Sequence, residues 1–357
     1  MVELIPPRLD VEDDFENHAD LPVVKVAAGR VKLDERAKIA ARQHVCFRQR
    51  LSNPKYVEKS AVAGHAVRNQ AKERNAHMTG NPIARWGFIF RSVRNYMSDW
   101  VDHWNSNDVL LWKNEPGHVS TEFTYASPHF DRARNQYELT DYAISLKAVL
   151  DGAMMLGVGP RVGGYDPFAL GMIIDLQNQH RREGPNVGNV LVEAFDPSLS
   201  SFPAGTKIIK RDRYDPEDMI LQARQDPVAR GVLKHLGFNG PDYRTLYSLL
   251  DWMESEGWTE EQVAAVTEQD AALVNIFTGT ANNVTILGPL GRHGATRSHS
   301  GKTPKSIMTL SDAQALILPA AKAFLRSRAE TFDATGSWPV YIKPKKTKGS
   351  AKKPSAV

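Results

Sequence analysis

The chain's one thiol, Cys46, sits among bases: Arg42, His44, Arg48 and Arg50 surround it. On a helix, Arg42 and Arg50 lie one turn to either side of it. Positive charge at that spacing favours the thiolate, and the thiolate is the nucleophile. The structural alternative is a small buried hydrophobe on an amphipathic helix, the ordinary role of a lone cysteine. A single cysteine excludes an intrachain disulfide and zinc-ribbon or zinc-finger spacings. The eleven histidines include no HxxxH or HExxH pair, so neither a metal nor another cofactor is expected.

Residues 288–306 form a loop of Gly, Ser and Thr with the bases Arg292, Arg297 and Lys302. Gly301-Lys302-Thr303 matches the end of a phosphate-binding loop. Thr296 stands where that motif needs glycine, and Pro304 follows at once. Anion contact through the three bases fits better than a nucleotide site, and a plain solvent loop fits better still. The C-terminus is more strongly charged. Residues 339–357 hold Lys343, Lys345, Lys346, Lys348, Lys352 and Lys353 and no acid. After Ile342 nothing large and apolar remains, so a disordered cationic tail is expected. Residues 28–75 add twelve Lys and Arg against four acids, whereas residues 1–22 carry seven acids against Arg8. Basic segments of this kind suit nucleic acid, an acidic partner or a nuclear import signal. Solvation of the chain ends is the plain alternative.

The elements that must position these residues follow from periodicity. The polar, acidic residues 1–29 read as irregular. Helices are expected over 31–51 and 54–77, separated by Asn53-Pro54. A third is expected over 83–104, because Trp86, Ile89, Phe90, Val93, Met97, Trp100 and Val101 recur at spacings of three and four. The aromatics of this stretch, with Arg91 and Arg94, read as core rather than as a base-stacking surface. Short strands are expected over 109–112 and 119–125, around Asn114-Glu115-Pro116-Gly117. A helix over 140–156 and a Gly-rich loop follow. Strands over 169–176 and 189–195 flank RREGPNVG and predict an antiparallel hairpin, with 206–210 as a further strand.

From Asp215 onward the chain reads as helical. Thr259 with Gln262 and Ser311 with Gln314 fit capping boxes. Asn282 to Leu287 reads as a lone strand, and Pro319 should kink a last helix over 311–330. The fold class is therefore α+β: a helical N-terminal third, a central antiparallel sheet and a mostly helical C-terminal part. The organisation expected is an acidic head (1–29), an α+β candidate catalytic domain (30–210), a mainly helical region (211–335) and a basic tail (336–357). No apolar run is long enough to span a membrane. The expected protein is soluble and made in the cytoplasm; an uncleaved export signal within residues 1–29 stays open.

The run Asn189-Val190-Leu191-Val192-Glu193-Ala194-Phe195 passes straight into Asp196-Pro197. With Phe168-Ala169-Leu170-Gly171, it resembles the hairpin of papain-like cysteine proteases that bacteria secrete into host cells, the EspL/OspD-type enterotoxin effectors. The resemblance covers about thirty residues closely and about 150 in outline. It implies a secreted virulence effector with a Cys-His-Asp site: Cys46 as nucleophile, a histidine as base, and Asp196 as orienting carboxylate. The family's histidine opens the first strand, where this chain has Asp166, Pro167 and Phe168. His180 lies at that strand's far end. His129, in Ser127-Pro128-His129-Phe130, is the base expected here, with Asp151 as an alternative orienter.

Two functions are thus expected from different classes. One is a thiol protease acting on a host protein. The other is a non-catalytic binding protein that uses its basic segments on nucleic acid or an acidic partner.

Overall fold

The computed structural model describes residues 84–91, 97, 100–101, 104, 106–114, 122–158, 165–184, 191–199, 202, 205–209, 213–288 and 306–341. Cys46, the expected helices over 31–51 and 54–77, the anion-loop residues Arg292, Arg297 and Lys302, and the six tail lysines lie outside them. Every described residue belongs to one compact unit within residues 73–357.

The described chain is α+β, an antiparallel sheet followed by a helical C-terminal part. Among the described residues the sheet has five strands: β1 (Trp86–Arg91), β2 (Leu110–Lys113), β3 (Glu122–Ala126), β4 (Ile173–Asp175) and β5 (His180–Arg182). Their spatial order is β2-β3-β1-β4-β5, antiparallel throughout.

β1 corrects the helix expected over 83–104. As the central strand it is buried on both faces from Gly87 to Phe90. A strand buried on both faces shows no alternation, and its apolar run cannot be told from a helix by period alone. Its aromatic and β-branched residues favour the pleated surface once partners are present. Helix does appear later in that stretch, at Met97, Trp100 and Val101.

The hairpin expected between 169–176 and 189–195 is also corrected. β4 pairs with β5 instead, Ile173 opposite Arg182 and Asp175 opposite His180. Asp175 makes that tight turn: its carboxylate accepts the N–H groups of Gln177 and Asn178, and Gln179 takes a positive φ of 55°. Residues 191–196 and 206–209 join no ladder.

One face of the sheet presents Phe88, Phe90, Phe123, Tyr125 and Ile173 to a long helix, α1 (Gln136–Val158). The Tyr125 hydroxyl donates to the Ala143 carbonyl of that helix at 3.2 Å. Phe168 stacks on Phe90 at 3.9 Å beneath them. The other helices are α2 (Pro216–Gln225), α3 (Pro227–Asn239), α4 (Tyr243–Ser255), α5 (Glu260–Val266), α6 (Ala272–Ala281), α7 (Val284–Leu287) and α8 (Leu310–Thr335). The Thr259–Gln262 capping box opens α5 as expected. The cap of α8 lies two residues before the expected Ser311: Thr309 accepts from the Asp312 N–H, and Gln314 donates to the Pro241 carbonyl. It runs on through Pro319. α7 replaces the lone strand expected over 282–287, because Asn283 accepts the Ile286 N–H and starts a helical turn.

α1 and α3 cross with their backbones nearly touching. A Cβ on Gly152 would lie 2.0 Å from the Leu233 carbonyl oxygen, and one on Gly237 would lie 1.9 Å from that of Ala148. A second tie is ionic. Arg328 of α8 donates to both oxygens of Asp226, the N-cap of α3, at 2.8 and 2.9 Å, and to Glu256 at 2.7 Å. Gln222 also donates to Asp226 at 3.0 Å, so the buried carboxylate is fully engaged. Gly237→Ala should force the two helices apart and cost about 1–3 kcal/mol or more, read as a lower urea midpoint. Gly279→Ala, which meets nothing within 4 Å, should not lower it.

Candidate functional site

Ser127 follows β3, and the next three residues form a 3-10 turn, Pro128–Phe130. Proline suits that first position, and Ser127 Oγ caps the turn by accepting the His129 N–H at 3.1 Å. The turn points His129 inward, where only 1% of it is exposed. Its ring meets Phe195 edge-on at 5.2 Å.

Both ring nitrogens of His129 are engaged. Nδ1 faces the backbone N–H of Asp196 at 3.1 Å, and Nε2 lies 2.9 Å from Asp108 Oδ1. An amide N–H can only donate, so Nδ1 accepts. The proton is therefore assigned to Nε2, which donates to Asp108. This is a neutral imidazole with its lone pair already used. To take a proton from a thiol it would first have to release the Asp196 amide.

Asp108 is the carboxylate that orients the ring. The same oxygen forms an ion pair with Arg224 Nη1 of α2 at 3.2 Å, and Ser127 Oγ donates to the Asp108 carbonyl at 2.6 Å. Asp196 is beside His129 through its main chain. Its carboxylate instead accepts the Ser198 N–H and hydroxyl, each at 2.8 Å. Burial works against that charge, but the Ser198 donors, with the Arg132 guanidinium nearby, hold the carboxyl below its ordinary range. Asp196 thus starts the short turn Pro197–Leu199.

The segment leading into Asp196 is held by side chains. Ser145 of α1 accepts the Val192 N–H at 2.9 Å, and Lys234 of α3 donates to the Val192 carbonyl at 2.7 Å. Arg132 donates to the carbonyls of Glu193 and Phe195 and lies 3.9 Å over the Tyr142 ring. Ala194 and Phe195 are buried between these anchors.

The other candidates lie elsewhere. Asp151 does not orient His129: it accepts from Lys147 at 2.5 Å and from the Tyr165 hydroxyl, and its burial raises its pKa while these two partners lower it. His180 is exposed on β5. Among the described residues no three His, Cys, Asp or Glu side chains could hold a metal ion, and no helix is long and apolar enough to cross a membrane.

Sequence reasoning paired His129 with Asp196 but missed Asp108, Arg224 and Arg132. Ser127-Pro128 at a strand exit was a legible cap signal. Asp108 was not legible, because the β2–β3 register brings it there: Leu110 stands opposite Ala126, so the chain just before β2 runs beside the chain just after β3, and the Ser127 hydroxyl reaches the Asp108 carbonyl. Comparison of the chain with protein-family models, with curated proteins and with solved structures finds no match.

Asp108→Ala would leave the His129 N–H and the Arg224 guanidinium without their buried acceptor, at an expected cost of about 3–5 kcal/mol. Asp108→Asn keeps an acceptor for the imidazole and should cost clearly less. Urea unfolding of both variants checks the order; equal losses would mean that the charge on Arg224, not the imidazole bond, dominates.

Proposed function

We propose that this protein is a binding protein that engages a polyanion, nucleic acid or an acidic protein surface, through its basic segments. The observation that carries the reading is the run of six lysines without an acid between residues 343 and 353. Such a run binds by charge and counterion release and needs no folded module. The interior of the described fold is compatible with a supporting role. His129, its candidate base, is buried with both nitrogens bonded. A saturated imidazole of this kind positions chain segments rather than moving protons.

The folded unit then acts as a rigid carrier for a cationic arm. Fluorescence anisotropy with a labelled single-stranded DNA should show affinity falling steeply with salt. For a single strand the log–log slope is about −0.7 per phosphate contacted, so six lysines give up to about −4. Removing residues 343–357 should flatten the slope and weaken binding. Affinity indifferent to both changes would overturn the reading.

A second reading rests on a different observation. His129 and Asp196 are 67 positions apart and yet in contact, as a thiol hydrolase of the Cys46–His129–Asp196 type would need. That chemistry requires an opened state in which His129 Nδ1 leaves the Asp196 amide and meets the thiol. Alkylation of native Cys46 by iodoacetamide across a pH series tests it. Fast labelling well below the free-thiol pKa of about 8.5 supports a stabilised thiolate. Labelling only after unfolding identifies a packing cysteine and removes the hydrolase.

A further inference from the structure

Residues 191–196 belong to no helix or strand, yet Ala194 and Phe195 are buried. Side chains hold this strap. Ser145 and Lys234 bond Val192, and Arg132 bonds the carbonyls of Glu193 and Phe195. Glu193 Oε1 accepts the Phe195 N–H at 3.1 Å. His129 Nδ1 accepts the Asp196 N–H, the last hold before the Pro197–Leu199 turn.

These holds respond differently to protons. Ser145 does not titrate, and arginine keeps its charge. Burial lowers the pKa of Lys234, Glu193 raises it, and the like charge on Arg230 lowers it further. Acid therefore only completes the charge of Lys234, and the ammonium goes on donating to the Val192 carbonyl. Imidazole is the exception, since it ordinarily titrates near about pH 6.5. His129 holds the Asp196 amide with the one ring atom that a second proton would occupy.

With Nδ1 protonated, two N–H groups would face each other across that 3.1 Å contact. The charged groups around the ring do not relieve the conflict. Asp108, before β2, favours an imidazolium from the Nε2 side, but the same oxygen is paired with Arg224 of α2, whose charge opposes one. On the strap side, Arg132 and the Asp196 carboxylate have opposite signs, and that carboxylate is engaged by Ser198. These charges set how readily the ring takes a proton; at Nδ1 the proton still meets a donor.

We infer that His129 is a proton-operated latch: acidification protonates Nδ1, breaks its bond to the Asp196 amide and frees the strap end, baring the Phe195 ring. The held state excludes a second ring proton that the released state accepts, so release gains as pH falls. The hold is complete on the alkaline side of the transition and lost on the acid side. The latch operates whatever the basic segments bind.

Hydrogen exchange of the full chain, from about pH 8 to about pH 5 and corrected for the intrinsic pH dependence of exchange, reads the strap. A peptide spanning residues 191–199 should lose protection by up to about tenfold per pH unit, the limit for one linked proton. Peptides from β1 and β3 should keep theirs. In protein labelled with 15N-histidine, the His129 ring, assigned through its contact with the Asp196 amide, should gain its second N–H over the same interval. His129→Asn, whose amide oxygen can stand in for Nδ1 but cannot titrate, should hold the strap equally across the range. Glu193→Gln keeps an acceptor for the Phe195 N–H and should show the wild-type profile. A ring that does not titrate, a ring that titrates without strap release, or simultaneous loss of protection in the sheet would overturn the latch. So would a wild-type profile in His129→Asn or a lost profile in Glu193→Gln. Should His129→Asn fail to fold, the coincidence of ring and strap transitions in the wild type and the Glu193→Gln profile decide.

Discussion

The crossing of α1 and α3 is the constraint on which the rest of the structure depends. Gly152 and Gly237 let the two backbones approach to where a single methyl group cannot fit. α1 is buried along most of its length, with the sheet on one side and α3 on the other. A helix covered in this way has no polar stripe to spare, which is why its sequence reads apolar nearly all round. Moving α1 away from α3 would shift Ser145 and Lys234, and with them the anchors of residues 191–196.

His129 is the second junction. It joins the segment after β3 to the segment before β2 through Asp108, and to residues 195–196 through a main-chain N–H. Arg224 extends the same bond system to α2. A histidine followed by a distant aspartate can be read as a catalytic pair, and the two do meet. Their contact is amide to ring nitrogen, however, with the Asp196 carboxylate occupied by Ser198. Proximity of two residues and the direction in which their functional atoms point are separate facts, and chemistry depends on the second.

The basic C-terminal segment and the acidic residues 1–22 give the chain a charge layout that its small net charge of +4 conceals. Opposite blocks of this kind cost little in stability because their charges remain hydrated. They control encounter and exchange, which are sensitive to ionic strength, rather than the fold.

Local chemistry was legible in the sequence. The Thr259–Gln262 box, the helical C-terminal part, the long helix after residue 136 and the strands near 110 and 123 follow from caps and periodicity acting over a few residues. The charge blocks are sequence properties outright. β1 was not legible, because burial on both faces erases the alternation that marks a strand. The β4–β5 pairing was misread because the Asp175 turn, four residues long, competes successfully with a longer and more apolar hairpin. Asp108 reached His129 only through strand register, and Gly152 met Gly237 only through helix crossing. Sequence determined which short elements form and where charge gathers; the tertiary structure alone decided which distant atoms meet, because those contacts depend on pairing and packing that no local pattern encodes.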